Sequence, residues 1–358
     1  MSHKGYKKFF PTPQFLSKPS FGLDISDESI KYIEFLETRK GLRIGRYGEK
    51  AVPSGIIESG KIVAANRLKD ILSVLKKEQK IESVRASLPE EQIYLFRLKL
   101  PKEGAKNIRE MIELSLEEHV PVPPAEIIFD YELYQEDENN FDVEVAAVPK
   151  SIIQSYLSIF TDSGLVVPSL ELEAQALVRV VVKKGDKDVH MIVDFGKQRT
   201  GISIVDHGMV VFTTTIDMGG VMLTNLIEKN FKVSFEEAEK MKIKYGLTRN
   251  AKNQEIFSTL LNGVSIVKDE IEKHFIYWHT HKDEDGKDRQ PIKRIILCGG
   301  DSNLIGFAEY LSISMRQSVE LADVWQNILS SSDYVPEMSL EDSLSYATAI
   351  GLALGDVK

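Results

Sequence analysis

The strongest constraint on the fold is a repeat. The segments FGLDISDESIKYIEFL and VHMIVDFGKQRTGISIV follow one plan. In each, an apolar strand ends in an aspartate, Asp24 or Asp194. An apolar residue, a small residue (Ser26 or Gly196) and a polar turn follow. A hydroxyl residue, Ser29 or Thr200, then enters the next strand. The aspartates are 170 positions apart, so the chain reads as two related halves, each opening on a β-hairpin. One copy alone would say little, because aspartate in a hairpin turn is common for local hydrogen-bonding reasons. Recurrence gives it weight, as does the pair Gly299 and Gly300 after a strand near the C-terminus.

The turn has a chemistry. Successive backbone N–H groups in a tight turn form a concave anion site, and a small residue lets a phosphate approach the backbone. A serine or threonine adds a donor. An aspartate at the strand end would repel phosphate, so its useful role is to hold hydrated Mg²⁺. Two such turns facing each other would clamp a triphosphate from both sides. No GxxxxGK[ST] and no G-x-G tripeptide occurs in the chain, which removes the P-loop, the dinucleotide fingerprint and the kinase-type glycine loop.

The remaining periodicity fills in the halves. Phe21, Leu23 and Ile25 alternate; Ile30, Tyr32 and either Ile33 or Phe35 follow across the turn, and LRIGRYGEKAV reads as a third strand. Lys61–Lys77 reads as an amphipathic helix. Residues 84–165 read as a self-contained unit: strand Gln92–Leu100, helix NIREMIELSLEEHV stopped by VPVPP, strands IIFDYELY and FDVEVAAVP, and helix Lys150–Asp162. Then come strand VVPSLEL, helix Glu173–Val182 and the second hairpin. Residues 221–285 read as helical, with Ser234 and Glu237 spaced as a capping box. Strand KRIILCGG, a helix from about Leu304 and the alanine-rich segment YATAIGLALG close the chain.

Composition narrows the function. The net charge of −9 disfavours broad nucleic-acid binding. Cys298 is the only cysteine, so no intrachain disulfide forms and a reducing compartment is expected. The longest run without a charged residue or histidine, Ser343–Gly355, is too short to span a bilayer. The start MSHKGYKKFFPTPQF lacks the apolar core of a secretory signal. A cytoplasmic protein is expected. His279 and His281 read as an exposed polar pair, Phe275, Tyr277 and Trp278 as packing residues, and Cys298 as a small buried hydrophobe.

On these residues the chain resembles the actin/Hsp70-like ATPase superfamily and, within it, the PilM family of type IV pilus assembly. The likeness runs from Phe21 to Gly355 through ASLPEEQIYLFRLKLP, EEHVPVPPAEIIFDYELY, the VDFG turn, IDMGGVMLTNLI, FEEAEKMKIKYG, LCGGDSNLIGFAEYL and YATAIGLALG. The resemblance implies an α/β fold of duplicated actin/ribonuclease H-like domains with an inserted strand–helix–strand–strand (SHS2-like) subdomain, shared with the division protein FtsA. It divides the chain into an N-terminal arm (1–20), a first subdomain (21–83 and 166–186), the insert (84–165), a second core subdomain (187–226 and 291–358) and a helical subdomain over the cleft (227–290).

The same resemblance carries the site. Asp24, Ser26 and Ser29 belong to the first phosphate loop, and Asp194, Gly196, Lys197, Gln198 and Thr200 to the second. Gly219 and Gly220 form the connecting turn, Glu239 and Lys242 the ribose-contacting pair, and Gly299, Gly300, Asp301 and Ser302 the adenosine loop, with Leu304 beside the base. Asp24 and Asp194 would hold Mg²⁺ through water. Glu173 would position attacking water, cap its helix or touch the metal. Two departures stand out: Asp27 and Glu28 lie where a strong ATPase has small residues, and the adenosine loop reads GGDS. ATP binding is expected, with hydrolysis slow or absent.

The implied function is a cytoplasmic ATP-binding scaffold. It docks the N-terminal tail of a PilN-type inner-membrane protein and links it to other inner-membrane and motor components. It reaches the membrane through partners rather than by insertion, and self-association is compatible with it. The competing readings are an FtsA-like division filament and, further off, a small-molecule kinase of the same fold.

Overall fold

The structure, a computed structural model, describes residues 20–39, 41–102, 107–249, 253–283, 286–328 and 334–356. The expected N-terminal arm lies outside them but for Ser20. The chain opens on a meander, β1 (Phe21–Ile25), β2 (Ser29–Thr38) and β3 (Gly41–Ala51). A small hairpin of β4 (Ile57–Glu58) and β5 (Lys61–Ile62) leads to α1 (Ala65–Gln79) and β6 (Ser83–Leu88). Next come β7 (Tyr94–Pro101), α2 (Ile108–His119), β8 (Ile127–Glu136), β9 (Asn140–Pro149), α3 (Lys150–Asp162), β10 (Val166–Leu172) and α4 (Glu173–Val181). The second half has the meander β11 (Val189–Phe195), β12 (Thr200–Asp206) and β13 (Met209–Ile216), then α5 (Gly220–Phe231), α6 (Phe235–Tyr245) and α7 (Gln254–Thr280). It ends with β14 (Ile292–Cys298), α8 (Phe307–Met315), β15 (Val319–Leu321), α9 (Leu340–Leu344) and α10 (Ala347–Ala353).

The repeat seen in the turns extends to whole sheets. The first sheet runs β3-β2-β1-β6-β10 and the second β13-β12-β11-β14-β15. In both, the meander strands pair antiparallel, one later strand pairs parallel with the central strand (β6 with β1, β14 with β11), and the next pairs parallel with that one (β10 with β6, β15 with β14). Asp24 and Asp194 occupy the same place, one residue from the end of the central strands β1 and β11.

Each sheet is covered on both faces, which explains its near-continuous apolar strands. Along β2, Ile30 and Tyr32 face α1 and α3 in one core, while Ile33 and Phe35 face α4 and α10 in another. Both Ile33 and Phe35 are therefore buried, where the alternation left a choice. Glu34 between them is 4% exposed, and Arg46 on β3 closes a fork on its carboxylate at 2.7 and 3.0 Å. The second sheet lays its other face against α5, α7 and α8.

Between the two sheets lie α4 and α10, and their small residues decide how close the halves come. A Cβ on Gly351 would overlap the carbonyl oxygen of Ala176, and one on Gly22 would overlap that of Ala349. The alanine-rich segment is a place where backbones pack on backbones.

The helix expected at Lys61–Lys77 begins later, because Ser59 and Gly60 both take positive φ (49° and 71°) and turn β4 into β5. Ser234 caps α6 as read: its Oγ accepts the N–H of Glu237 at 3.3 Å. The insert boundaries at 84 and 165 move inward. β6 pairs with β1 and β10, and α3 packs on the first sheet, so residues 94–149 alone carry the separate sheet β7-β9-β8 with α2 across it. Cys298 and Trp278 are buried as expected, whereas Tyr277 is 45% exposed. No helix among the described residues is long and apolar enough to cross a membrane.

Overpacking the junction is expected to destabilise the whole chain. Gly351→Val adds bulk where a backbone carbonyl already sits, and should cost about 1–3 kcal/mol. Thermal melting followed by circular dichroism reads this; an unchanged melting temperature would contradict the close approach.

Candidate active site

The two matching turns open on one cleft of about 630 Å³, within the usual range for a small-molecule site. Asp24, Ser26 and Ser29 line it from the first half; Asp194, Gly196, Lys197 and Gln198 line it from the second. Gly299, Gly300, Asp301 and Glu173 also line it, whereas Thr200, Gly219, Gly220, Glu239, Lys242 and Ser302, expected there too, do not. Leu344, Ser345, Ala347 and Thr348, from the α9–α10 region, add a wall that it did not anticipate.

Each turn is built by its own backbone. The N–H of Ser26 reaches the carbonyl of Ser29 at 2.9 Å, and the N–H of Ser29 returns to Ser26 Oγ at 3.2 Å. The N–H of Gly196 reaches the carbonyl of Arg199 at 2.9 Å. The second turn is seated on α5: the N–H groups of Gly220 and Val221 reach the carbonyls of Gly196 and Lys197 at 3.0 and 2.9 Å. This contact needs Gly219, where a Cβ would overlap the Lys197 carbonyl. Gly299 has φ +87°, and a Cβ there would overlap the Asp194 carboxylate, so glycine lets the end of β14 come against it.

Some expected residues lie behind the wall. Thr200 is fully buried and donates its hydroxyl to Met218 O at 2.6 Å. Ser302 is buried, with its hydroxyl on the carbonyl of Cys298. Leu304 belongs to the apolar core on the second sheet. Lys242 is 2% exposed and reaches Asp301 at 2.6 Å, Glu239 at 3.0 Å and the Gly220 carbonyl at 3.2 Å. Thr224 donates to Glu239. Of this group only Asp301 lines the cleft; Lys242 is buried, while Glu239 is partly exposed.

The electrostatics are the cleft's main property. Burial pushes the Asp194 carboxyl up to about 6, aided by Asp24 and opposed by Lys31. Burial also raises Asp24, against the pull of Lys31 and of the Ser87 hydroxyl, which donates to it at 3.0 Å. Glu173, at the start of α4, is driven well above the carboxylate range by burial and then by Asp24, Glu90, Glu91 and Asp194. Glu90 lies in the short turn after β6 and was not singled out from the sequence. Burial lifts it to about 7, opposed by the N–H of Ala174 and the Thr213 hydroxyl. Nothing local in LPEEQ marks Glu90 for this place; pairing of β6 with β1 carries it there.

These carboxylates crowd together, with Lys31 opposing the charge of Asp24 and Asp194, a donor set that suits a hard divalent cation with oxygen ligands. Asp24 and Asp194 have the right chemistry to hold Mg²⁺, and Glu173 and Glu90 stand beside them. The acidic first turn is partly compensated. Glu28 takes an ion pair from Lys197 at 2.7 Å and a hydrogen bond from Gln198, and Asp27 pairs with Arg199. The charges that departed from the expected pattern are met by cations from the opposite turn.

A family model described as type IV pilus assembly protein PilM matches residues 22–357. Among curated proteins, the chain is 32% identical over 99 residues to the cell division protein FtsA of Enterococcus hirae. That match covers 27% of this chain and 22% of FtsA, so the chain spans about a fifth of the relative's length. Among solved structures, one described as a PilM-PilN type IV pilus biogenesis complex superposes with a TM-score of 0.78 at 19% identity, covering 95% of this chain and 99% of that one. MreB5 of Spiroplasma citri bound to ADP gives 0.54 at 13% identity, covering 95% and 96%. The fold is thus actin-like.

The raised carboxyls give a signed pH dependence. An acid whose folded pKa exceeds its unfolded value contributes stability at low pH, and this is lost as pH rises through the folded value. The ligand-free chain is expected to melt lower as pH goes from 5 to 8, through the values of Asp194 and Glu90. Glu90→Gln should flatten that slope and stabilise the chain at pH 8 by on the order of 1–3 kcal/mol, read as a higher melting temperature. Scanning calorimetry across pH decides; a variant with the wild-type slope would contradict the assignment.

Proposed function

The chain belongs to the PilM family of type IV pilus assembly proteins, and from that membership we propose that it is a nucleotide-binding scaffold whose cleft takes ATP with Mg²⁺. One observation carries this reading: the aspartates ending the central strands of two duplicated sheets line one cleft. Asp24 and Asp194 hold the metal through its water shell, and the metal supplies the positive charge that phosphates and carboxylates both need. Gly196, Lys197 and Gln198 approach the phosphates from one side, Ser26 and Ser29 from the other. Gly299 and Gly300 admit the base, with Asp301 held in place by Lys242.

Burial, and then the acidic neighbours Asp24, Glu90, Glu91 and Asp194, raise the proton affinity of Glu173. Beside a bound cation, Glu173 would be the residue placed to orient water. The crowded acidic surroundings fit slow turnover, and the nucleotide then acts mainly by setting the angle between the halves. The separate sheet at 94–149, with the first half beside it, forms the groove for the short cytoplasmic tail of a PilN-type protein. Through that tail the chain stands at the inner membrane and connects to the motor.

Two measurements test the proposal. By calorimetry, Asp24→Ala and Asp194→Ala are each expected to weaken Mg²⁺-dependent ATP binding by about tenfold or more, with the circular dichroism unchanged. Wild-type affinity in Asp194→Ala would sink the cleft assignment. By hydrogen exchange, a PilN-type tail peptide is expected to protect amides within 94–172. Protection confined to the second half would place the groove elsewhere.

A further inference from the structure

Arg199 lies in the second turn, yet its side chain serves loops of the first half. Its guanidinium, 18% exposed, pairs with Asp27 of the first turn and with Glu91, in the segment that leads into β7. Its Nε is 3.5 Å from Asp217, which is almost fully exposed and weakens the pair through solvent.

Asp27 extends this contact. Its carboxylate accepts the N–H groups of Ser59 and Gly60 at 3.0 and 3.2 Å, which fixes the tip of the β4–β5 hairpin. The Gln92 amide donates to the Ser59 carbonyl at 3.1 Å, and a Cβ on Gly60 would overlap Pro89. The contacts close a ring: Arg199, Asp27, the hairpin tip, the 89–92 turn and back to Arg199 through Glu91. Beside it, Lys197 and Gln198 hold Glu28. The polar rim of the cleft is therefore drawn shut by the side chains of three consecutive residues, with apolar packing on the far side, around α4 and α10.

We propose that Lys197, Gln198 and Arg199 form an electrostatic latch that a polyphosphate must displace to enter, and that Arg199 is the positioning residue relaying this displacement to the inserted sheet. The inference rests on the cleft taking a nucleotide polyphosphate. Phosphate oxygens and the carboxylates of Asp27 and Glu28 compete for the same cations. Once Lys197 turns to a phosphate, Glu28 faces that phosphate unpaired, and the repulsion moves the first turn away. Phosphate that draws Arg199 away likewise frees Asp27 and Glu91 from its fork, and the hairpin tip and the 89–92 turn loosen with them. A closed latch also lowers the apparent affinity, since only the opened fraction binds.

The test uses the full chain, a fluorescent ATP analogue with Mg²⁺, and hydrogen exchange read by mass spectrometry. Glu28→Gln keeps the shape and removes the competitor, and is expected to tighten nucleotide binding by about threefold or more. In the wild type, nucleotide is expected to speed amide exchange in 57–62 and 89–93. Arg199→Gln should show that faster exchange, by about tenfold, without any nucleotide, and nucleotide should add nothing more. Should Arg199→Gln fail to fold, Asp27→Asn opens the same ring from its other side with the same expected rise. Unchanged exchange in the free variant overturns the latch, whatever the nucleotide result. Weaker or equal binding in Glu28→Gln overturns the competition. Faster exchange in Arg199→Gln, in a chain that binds no nucleotide, would uphold the ring and overturn the nucleotide reading alone.

Discussion

The structure depends on the backbone-to-backbone contact of α4 and α10 between the two sheets. Gly351 meets Ala176, Gly22 meets Ala349, and Ala347 and Ala353 lie in the same core. Side chains of ordinary size there would hold the sheets apart and separate Asp24 from Asp194. Dispersion between well-fitted surfaces stabilises the junction, and the Arg179 guanidinium on α4 donates to the Gly351 carbonyl on α10 at 2.6 Å. The junction can therefore stay closed while the polar rim on the other side changes partners. The halves thus meet along a closely packed seam on one side and an ionic one on the other.

That geometry also accounts for the charge distribution. Four carboxyl groups with raised proton affinity, Asp24, Glu90, Glu173 and Asp194, converge where the halves meet. Such crowding is unfavourable in the free chain, and a divalent cation held there would offset it. The family's fold supplies the cleft, and the acidic lining sets what the cleft will accept.

The sequence disclosed the hairpin turns because both signals are local: alternation in the strands and a polar turn after an aspartate. It disclosed the apolar helices and the Ser234 cap for the same reason. It was silent where chemistry depends on distant pairing. Glu90 reaches the cleft only because β6 lies beside β1. Lys242, expected from the resemblance to contact a ribose, is instead buried against Asp301, far along the chain. Asp27 and Glu28 looked like defects in a phosphate loop because their cations come from the other half. The Ser59–Gly60 turn was written in the sequence and was overridden by the stronger helical pattern after it.

The inserted sheet carries one more consequence. Tyr134 on β8 donates to Asp206 at the end of β12 at 2.6 Å, its ring stands edge-on to His207, and the Arg97 guanidinium lies 3.3 Å from the ring centroid. The insert is thus threaded into the first half by covalent chain and leans on the second by an aromatic prop. Any swing of the halves must shear that prop or carry the insert with it. A few degrees of hinge motion at the seam would then appear as a much larger excursion at the insert's outer tip, as in a lever with a short inner arm.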